Sequence, residues 1–258
     1  MPRATRSSAS TATDAAKPYS KKPSPKPVHK SGTASKPPPS TRKTKDGKDS
    51  HLYTDDNPTT TLKGTGFKDA PTAENTISLV SKRSLLYQFQ TINTMYHRAN
   101  HHPHSGDNAD MQAAMKIFRT WLDETYPRLR SEQTEFPLLK KGVVELYLPR
   151  IRELAGKLGI DSRWAEMYVE LPKGKRLANV LMDETNPAEA DLARVRQDVL
   201  EGIVEGNGGD IPEKDDPGLW SADGKGLSEM HLKCIAYGFS PCKTEVLVKS
   251  FASSQKAE

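Results

Sequence analysis

From about Thr72 onward, large apolar residues return every three or four positions, whereas no Leu, Ile or Phe precedes Leu52. Thr72 is the expected N-cap of a short helix carrying Ile77 and Val80. A stronger pattern starts at Ser84. Leu85, Phe89, Ile92, Tyr96 and Ala99 fall at steps of four, three, four and three, one stripe on a helical repeat. It should stop at His101-His102-Pro103, because the residue before a proline disfavours the helical region. A third helix is expected from near Asp107, striped by Met111, Met115, Phe118 and Leu122 and stopped by Pro127. The short loop between the two predicts an antiparallel hairpin.

Residues 128–136 are charged and carry no clear period. Leu138 to Leu158 reads as helix, with Val143, Tyr147, Ile151 and Leu154 on its apolar side, a break or kink at Pro149 and a stop at Gly159. Asp161 or Ser162 should cap a short helix bearing Trp164, Met167 and Tyr168. Asn186-Pro187-Ala188-Glu189 combines an Asn cap, Pro at the first helical position and Glu at the third. Leu192, Val195, Val199 and Ile203 then form the stripe of the helix behind it. Residues 206–226 hold six glycines and two prolines and should form a long loop. Ser228 caps a last helix with Leu232 and Ile235, and Thr244 to Val248 reads equally as a strand or a helical turn.

These patterns predict a mainly α fold, a single helical domain of about six or seven helices over residues 63–258. Residues 1–62 are expected to be a disordered Pro/Ser/Thr/Lys-rich basic tail, because they hold almost nothing to bury against the entropy of ordering the backbone.

Charge divides along the same boundary. The whole chain carries 38 Lys plus Arg against 33 Asp plus Glu, a formal net charge of +5. Residues 1–50 account for 12 basic and three acidic residues, so they carry +9 and the remaining 208 residues carry −4. The basicity therefore belongs to the tail and not to the fold. No window approaches the roughly 20 apolar residues of a membrane span, and the opening residues lack the apolar core of a secretory signal. A mitochondrial leader needs an apolar helical face, which the segment before Leu52 does not provide. Two cysteines, Cys234 and Cys242, fit a reduced intracellular protein better than a disulfide scaffold. The expected location is nuclear or cytoplasmic.

Four groups of residues are candidates for chemistry. His97, His101, His102 and His104 cluster at the end of a predicted helix, and His97 and His101 share one helical face at a spacing common in zinc sites. Asp107 or Asp110 would complete the set, and a polar helix end, where imidazole meets the negative end of the dipole, explains the same residues. His231, Cys234 and Cys242 are soft ligands three and eight residues apart. They lack the two close pairs of a structural zinc site, so Cys234 is expected in the core and no cofactor is expected. A thiol nucleophile assisted by His231 is the third reading of that group. Gly206-Asn207-Gly208-Gly209 follows a helix and has the wrong polarity for a phosphate cradle, while Gly224-Lys225-Gly226 lacks the spacing of one.

Basic segments are the fourth group. Lys173-Gly174-Lys175-Arg176 sets three positive charges in a predicted loop. In the tail, Lys21-Lys22 and Arg42-Lys43-Thr44-Lys45 resemble clusters read by nuclear import, and lysines spread among Pro and Ser neutralise phosphate without reading bases. On the helix from Leu85, Tyr87, Gln88, Gln90 and Asn93 make a polar, uncharged face opposite the stripe.

Three functions follow in order of preference. The first is a non-enzymatic intracellular protein-interaction protein, expected in the nucleus, with a protein partner for the domain and a targeting or electrostatic role for the tail. The second is a nucleic-acid or chromatin-associated protein that binds phosphate backbone. The third is a metal-assisted enzyme of unfamiliar type built on His97 to His104.

Overall fold

The computed structural model describes residues 62–222 and 226–254. The tail residues Lys21, Lys22, Arg42, Lys43 and Lys45 lie outside the described residues. Leu62, the last residue assigned to the tail by sequence, is already packed in the core at 4% exposure.

The fold is mainly α. In chain order the helices are α1 (Ala70–Val80), α2 (Leu85–Asn100), α3 (Ala109–Thr120), α4 (Tyr126–Glu132), α5 (Lys141–Leu158), α6 (Arg163–Glu170), α7 (Leu192–Gly206), α8 (Glu229–Ala236) and α9 (Thr244–Ser254). Among the described residues, the β pairings are isolated bridges, Leu181 to Asp191 and Trp220 to Leu227. No helix among them is long and apolar enough to cross a membrane.

Several boundaries differ from the sequence reading, each for a physical reason. The cap of α1 is Asp69, whose carboxylate accepts from the backbone N–H of Thr72 at 2.8 Å, so the helix begins before Thr72. Pro127 does not stop the third helix. A π-helical turn over Trp121–Thr125 carries α3 into α4, and Pro127 follows it directly, where the wider turn has already interrupted the regular ladder that a proline would break. Counting that run as one rod gives eight helical rods among the described residues. Helix α5 likewise continues through Pro149. Gly159 ends it as expected, in the left-handed region at φ +65°. Thr244 to Val248 is the start of a helix and not a strand.

Helix α7 departs furthest from expectation. Its cap is Asp191, not Asn186. Asn186 and Glu189 instead join in a turn, with Glu189 N–H donating to the carbonyl of Asn186. The buried stripe is Leu192, Arg196, Leu200 and Val204, while Val195, Val199 and Ile203 are half-buried along its margin. An arginine occupying a core position shifted the apparent stripe by one residue.

Two apolar cores result. Leu62, Ala73, Val80, Ile92, Ala114, Phe118 and Trp121 build one, where α1 and α2 both pack on α3. The larger core gathers residues of α5 to α9, among them Tyr147, Ile151, Trp164, Leu200, Ile235, Phe239 and Leu247, with α5 touching α6, α8 and α9. A buried ion pair joins the two. Arg83, in the turn between α1 and α2, donates through Nε to Asp191 at 3.1 Å, and its two terminal nitrogens donate to the carbonyls of Pro187 and Ala178. Its guanidinium also lies 3.9 Å over the ring of Tyr87.

Candidate functional site

The long connection after α7 contains a short 3-10 turn, Pro217–Leu219, and this turn is tied to α8 by His231. His231 is fully buried. Its Nδ1 lies 3.0 Å from the carbonyl oxygen of Leu219, which only accepts, so Nδ1 carries the proton. Nε2 then accepts from the Ser240 hydroxyl at 2.8 Å, and Ser240 Oγ accepts in turn from the backbone N–H of Cys242 at 3.1 Å. Burial holds the His231 pKa down at about 4, which keeps the ring neutral. The chain of bonds locks the end of the long loop, α8 and the turn before α9 to one another. A hydroxyl donating to an imidazole is also the first contact of a serine nucleophile. Here Ser240 is itself buried, at 7% exposure, and both of its bonds serve the turn.

The two cysteines are core residues. Cys234 is 1% and Cys242 7% exposed. Burial pushes the Cys234 thiol up to about 12 and raises that of Cys242, which disfavours the thiolate at both. Both shifts argue against the reading of a thiol nucleophile, because the thiolate is the reactive form. Cys242 Sγ approaches the carbonyl of Lys214, and Cys234 Sγ approaches Met230 Sδ. Among the described residues no three His, Cys, Asp or Glu side chains converge as ligands for one ion. Neither His231 with Cys234 and Cys242 nor His97 to Asp110 therefore assembles the full ligand set considered from sequence.

The histidines in the last turn of α2 and in the segment that follows it separate into two pairs. His97 and His101 are exposed, with rings nearly parallel and centroids 6.2 Å apart. His102 is half-buried, sits edge-on to Phe67 and accepts at Nδ1 from the backbone N–H of His104.

Arg196 has no part in the stripe read from the sequence. It is buried in the larger core and faces no carboxylate there. Its guanidinium donates to the carbonyls of Tyr237, Phe136, Pro137 and Gly238 at 2.9 to 3.3 Å. Burial pulls its pKa down to about 10, and it stays a cation at neutral pH. The signal was available, since Arg196 stands four residues from both Leu192 and Leu200.

Three of the open surfaces among the described residues bear on function. Lys173, Lys175 and Arg176 are exposed on one turn, closed by a bond from Lys175 N–H to the Pro172 carbonyl, with Gly174 at φ +89°. No ion pair joins these three to a carboxylate among the described residues. The first part of the long loop lines an open concavity of about 1020 Å³ that includes Asp210, Ile211, Glu213, Asp215 and Asp216. The third surface is a groove of about 230 Å³ along the outer side of α2, lined by Leu62, Tyr87, Gln90, Thr91, Thr94, Met95 and Arg98. Gln88 does not belong to it. That side chain is buried and donates to the carbonyls of Ser81 and Arg83.

No family model, curated protein or solved structure matches this chain.

Proposed function

We propose that this chain is a non-enzymatic intracellular protein-interaction protein, whose basic N-terminal segment, residues 1–62, serves nuclear targeting or loose electrostatic contact. The observation that carries the reading is the groove along α2. Its walls are hydroxyl, amide, thioether, aromatic and aliphatic groups with one cation, Arg98. Such a surface has a single charge to desolvate and offers hydrogen bonds that orient a partner and offset the loss of water from its polar groups, the composition of an adaptable protein contact. Arg83 and Asp191 bond to one another, and Asp191 also accepts from the N–H and hydroxyl of Ser84, which fixes the residue that precedes α2.

The test is affinity capture followed by mass spectrometry, using the full chain, a Thr91→Arg/Thr94→Arg variant and a chain lacking residues 1–61. The reading expects a defined partner that the groove variant loses and the tail-less chain keeps. Capture that survives in the groove variant and disappears with the tail would remove the groove as the interaction face.

A second reading, association with nucleic-acid backbone, draws on the exposed turn of Lys173, Lys175 and Arg176 together with the +9 of residues 1–50. It predicts duplex binding whose log affinity falls linearly with log salt, with a shallower slope once the three are replaced by Ala. Absence of binding at low salt would end it.

A further inference from the structure

Four residues apart at the C-terminal end of α2, His97 and His101 present imidazoles whose planes differ by 13° and whose centroids lie 6.2 Å apart. Both rings face solvent. We propose that this pair is a two-nitrogen chelating site for a borderline divalent transition-metal ion of the Cu²⁺, Ni²⁺ or Zn²⁺ class.

The argument begins with the helix. Side chains at i and i+4 lie on one face, one above the other, so the backbone of α2 already holds the two rings as neighbours. Two imidazole nitrogens bound to one zinc-like ion at 2.0–2.1 Å lie about 3.4 Å apart at a tetrahedral angle. Rings that stand side by side and nearly parallel reach that separation by rotating two exposed side chains, with no change in the helix. Imidazole selects copper, nickel and zinc, whereas magnesium and calcium take oxygen ligands.

The remaining histidines do not extend the site. The His102 and His104 rings are tilted by 47°, and His102 is engaged at Nδ1 and against Phe67. Two protein nitrogens leave the other coordination positions to water or to a group brought by a docked molecule. The ion would therefore sit at an exchangeable surface site and not in a closed structural centre. The helix-end explanation accounts for one histidine near the C-terminus of α2, but it does not require two in register with parallel rings.

The test uses the full chain and Cu²⁺ alone, read by calorimetric titration and by the nitrogen hyperfine pattern of the frozen electron paramagnetic resonance spectrum. One equivalent should bind with a two-nitrogen signature that excess Mg²⁺ does not displace. The second nitrogen binds intramolecularly, so His97→Asn or His101→Asn alone should weaken this site on the order of a hundredfold. The double variant should show little further loss. His102→Asn, His104→Asn and a His29→Asn/His51→Asn control should stay within about twofold of the parent affinity. Because both rings are exposed, the urea midpoint of each variant should match the parent, which separates ligand loss from unfolding. Either single substitution leaving the affinity unchanged, or an equal loss in His102→Asn, overturns the proposal.

Discussion

Asp191 uses its two carboxylate oxygens for two different purposes. Oδ2 accepts from Arg83 Nε at 3.1 Å and from the N–H and hydroxyl of Ser84, both at 2.9 Å. Oδ1 accepts from the backbone N–H of Arg194 at 2.9 Å and caps α7. Neither the Arg83 nor the Asp191 side chain is more than 3% exposed. One residue thus starts α7 and fixes it to the turn between α1 and α2, joining the two cores.

Breaking a buried pair from one side leaves an uncompensated charge, which typically costs about 3–5 kcal/mol. Asp191→Asn keeps a competent cap and should fall near the lower end of that range. Asp191→Ala should cost about 1 kcal/mol more through loss of the cap. Urea unfolding at neutral pH measures both. An Asp191→Asn midpoint equal to the parent's would show that the pair does not hold the cores together.

The buried, neutral His231 makes stability depend on pH. Its folded pKa of about 4 lies below the ordinary 6.5, so between those values the unfolded chain binds a proton that the folded chain does not. Stability therefore rises with pH across this window and is lost as pH falls from 6.5 toward 4, by about 3 kcal/mol in all. His231→Asn keeps a donor for the Leu219 carbonyl and should be less stable at pH 7. The gap between variant and parent should narrow toward pH 4.5, and parallel curves from guanidinium titrations across that range would refute the assignment.

Two left-handed glycines separate backbone strain from crowding. Gly159 and Gly238 have φ of +65° and +66°. A Cβ on Gly159 meets open space, whereas one on Gly238 comes within 3.0 Å of Leu138 Cδ1 and Trp164 Cη2. Gly159→Ala should cost about 1 kcal/mol. Gly238→Ala should cost about 1–3 kcal/mol beyond that, from forced repacking. Equal losses in thermal unfolding would mean that the contact with Trp164 is soft.

The thiols should report unfolding. With Cys234 pushed up to about 12 and Cys242 also raised, neither should react with a disulfide reagent in the native protein near about pH 8. Both should react in guanidinium, at the rate of unfolding. Fast stoichiometric labelling of the native chain would place at least one cysteine outside the core.

Local signals carried most of the helices. The stripes of α2, α3 and α5 were legible because apolar spacing at 3.6 residues is a property of the segment itself, and Ser228 caps α8 for the same local reason, accepting from His231 N–H. The start of α7 was not legible. Asn186-Pro187-Ala188-Glu189 has every local feature of a helix start, yet Asp191 takes the role because its other oxygen is needed by Arg83, 108 positions away. Arg196 escaped notice for a similar reason. Hydrophobic spacing treats a cation as surface, and only the four carbonyls brought together by Phe136, Pro137, Tyr237 and Gly238 make its burial favourable.

By itself the sequence determined a mainly helical chain with its charge divided into a +9 segment and a −4 remainder, and it put His97 and His101 on one helical face. Those are matters of composition and short-range period. Tertiary structure decided which polar groups are buried, that His231 is neutral and bound to Ser240, that both cysteines are buried, and that Tyr87, Thr91 and Met95 line an open groove. Each of these depends on desolvation and on partners distant in sequence, and neither is encoded in the spacing of neighbouring residues.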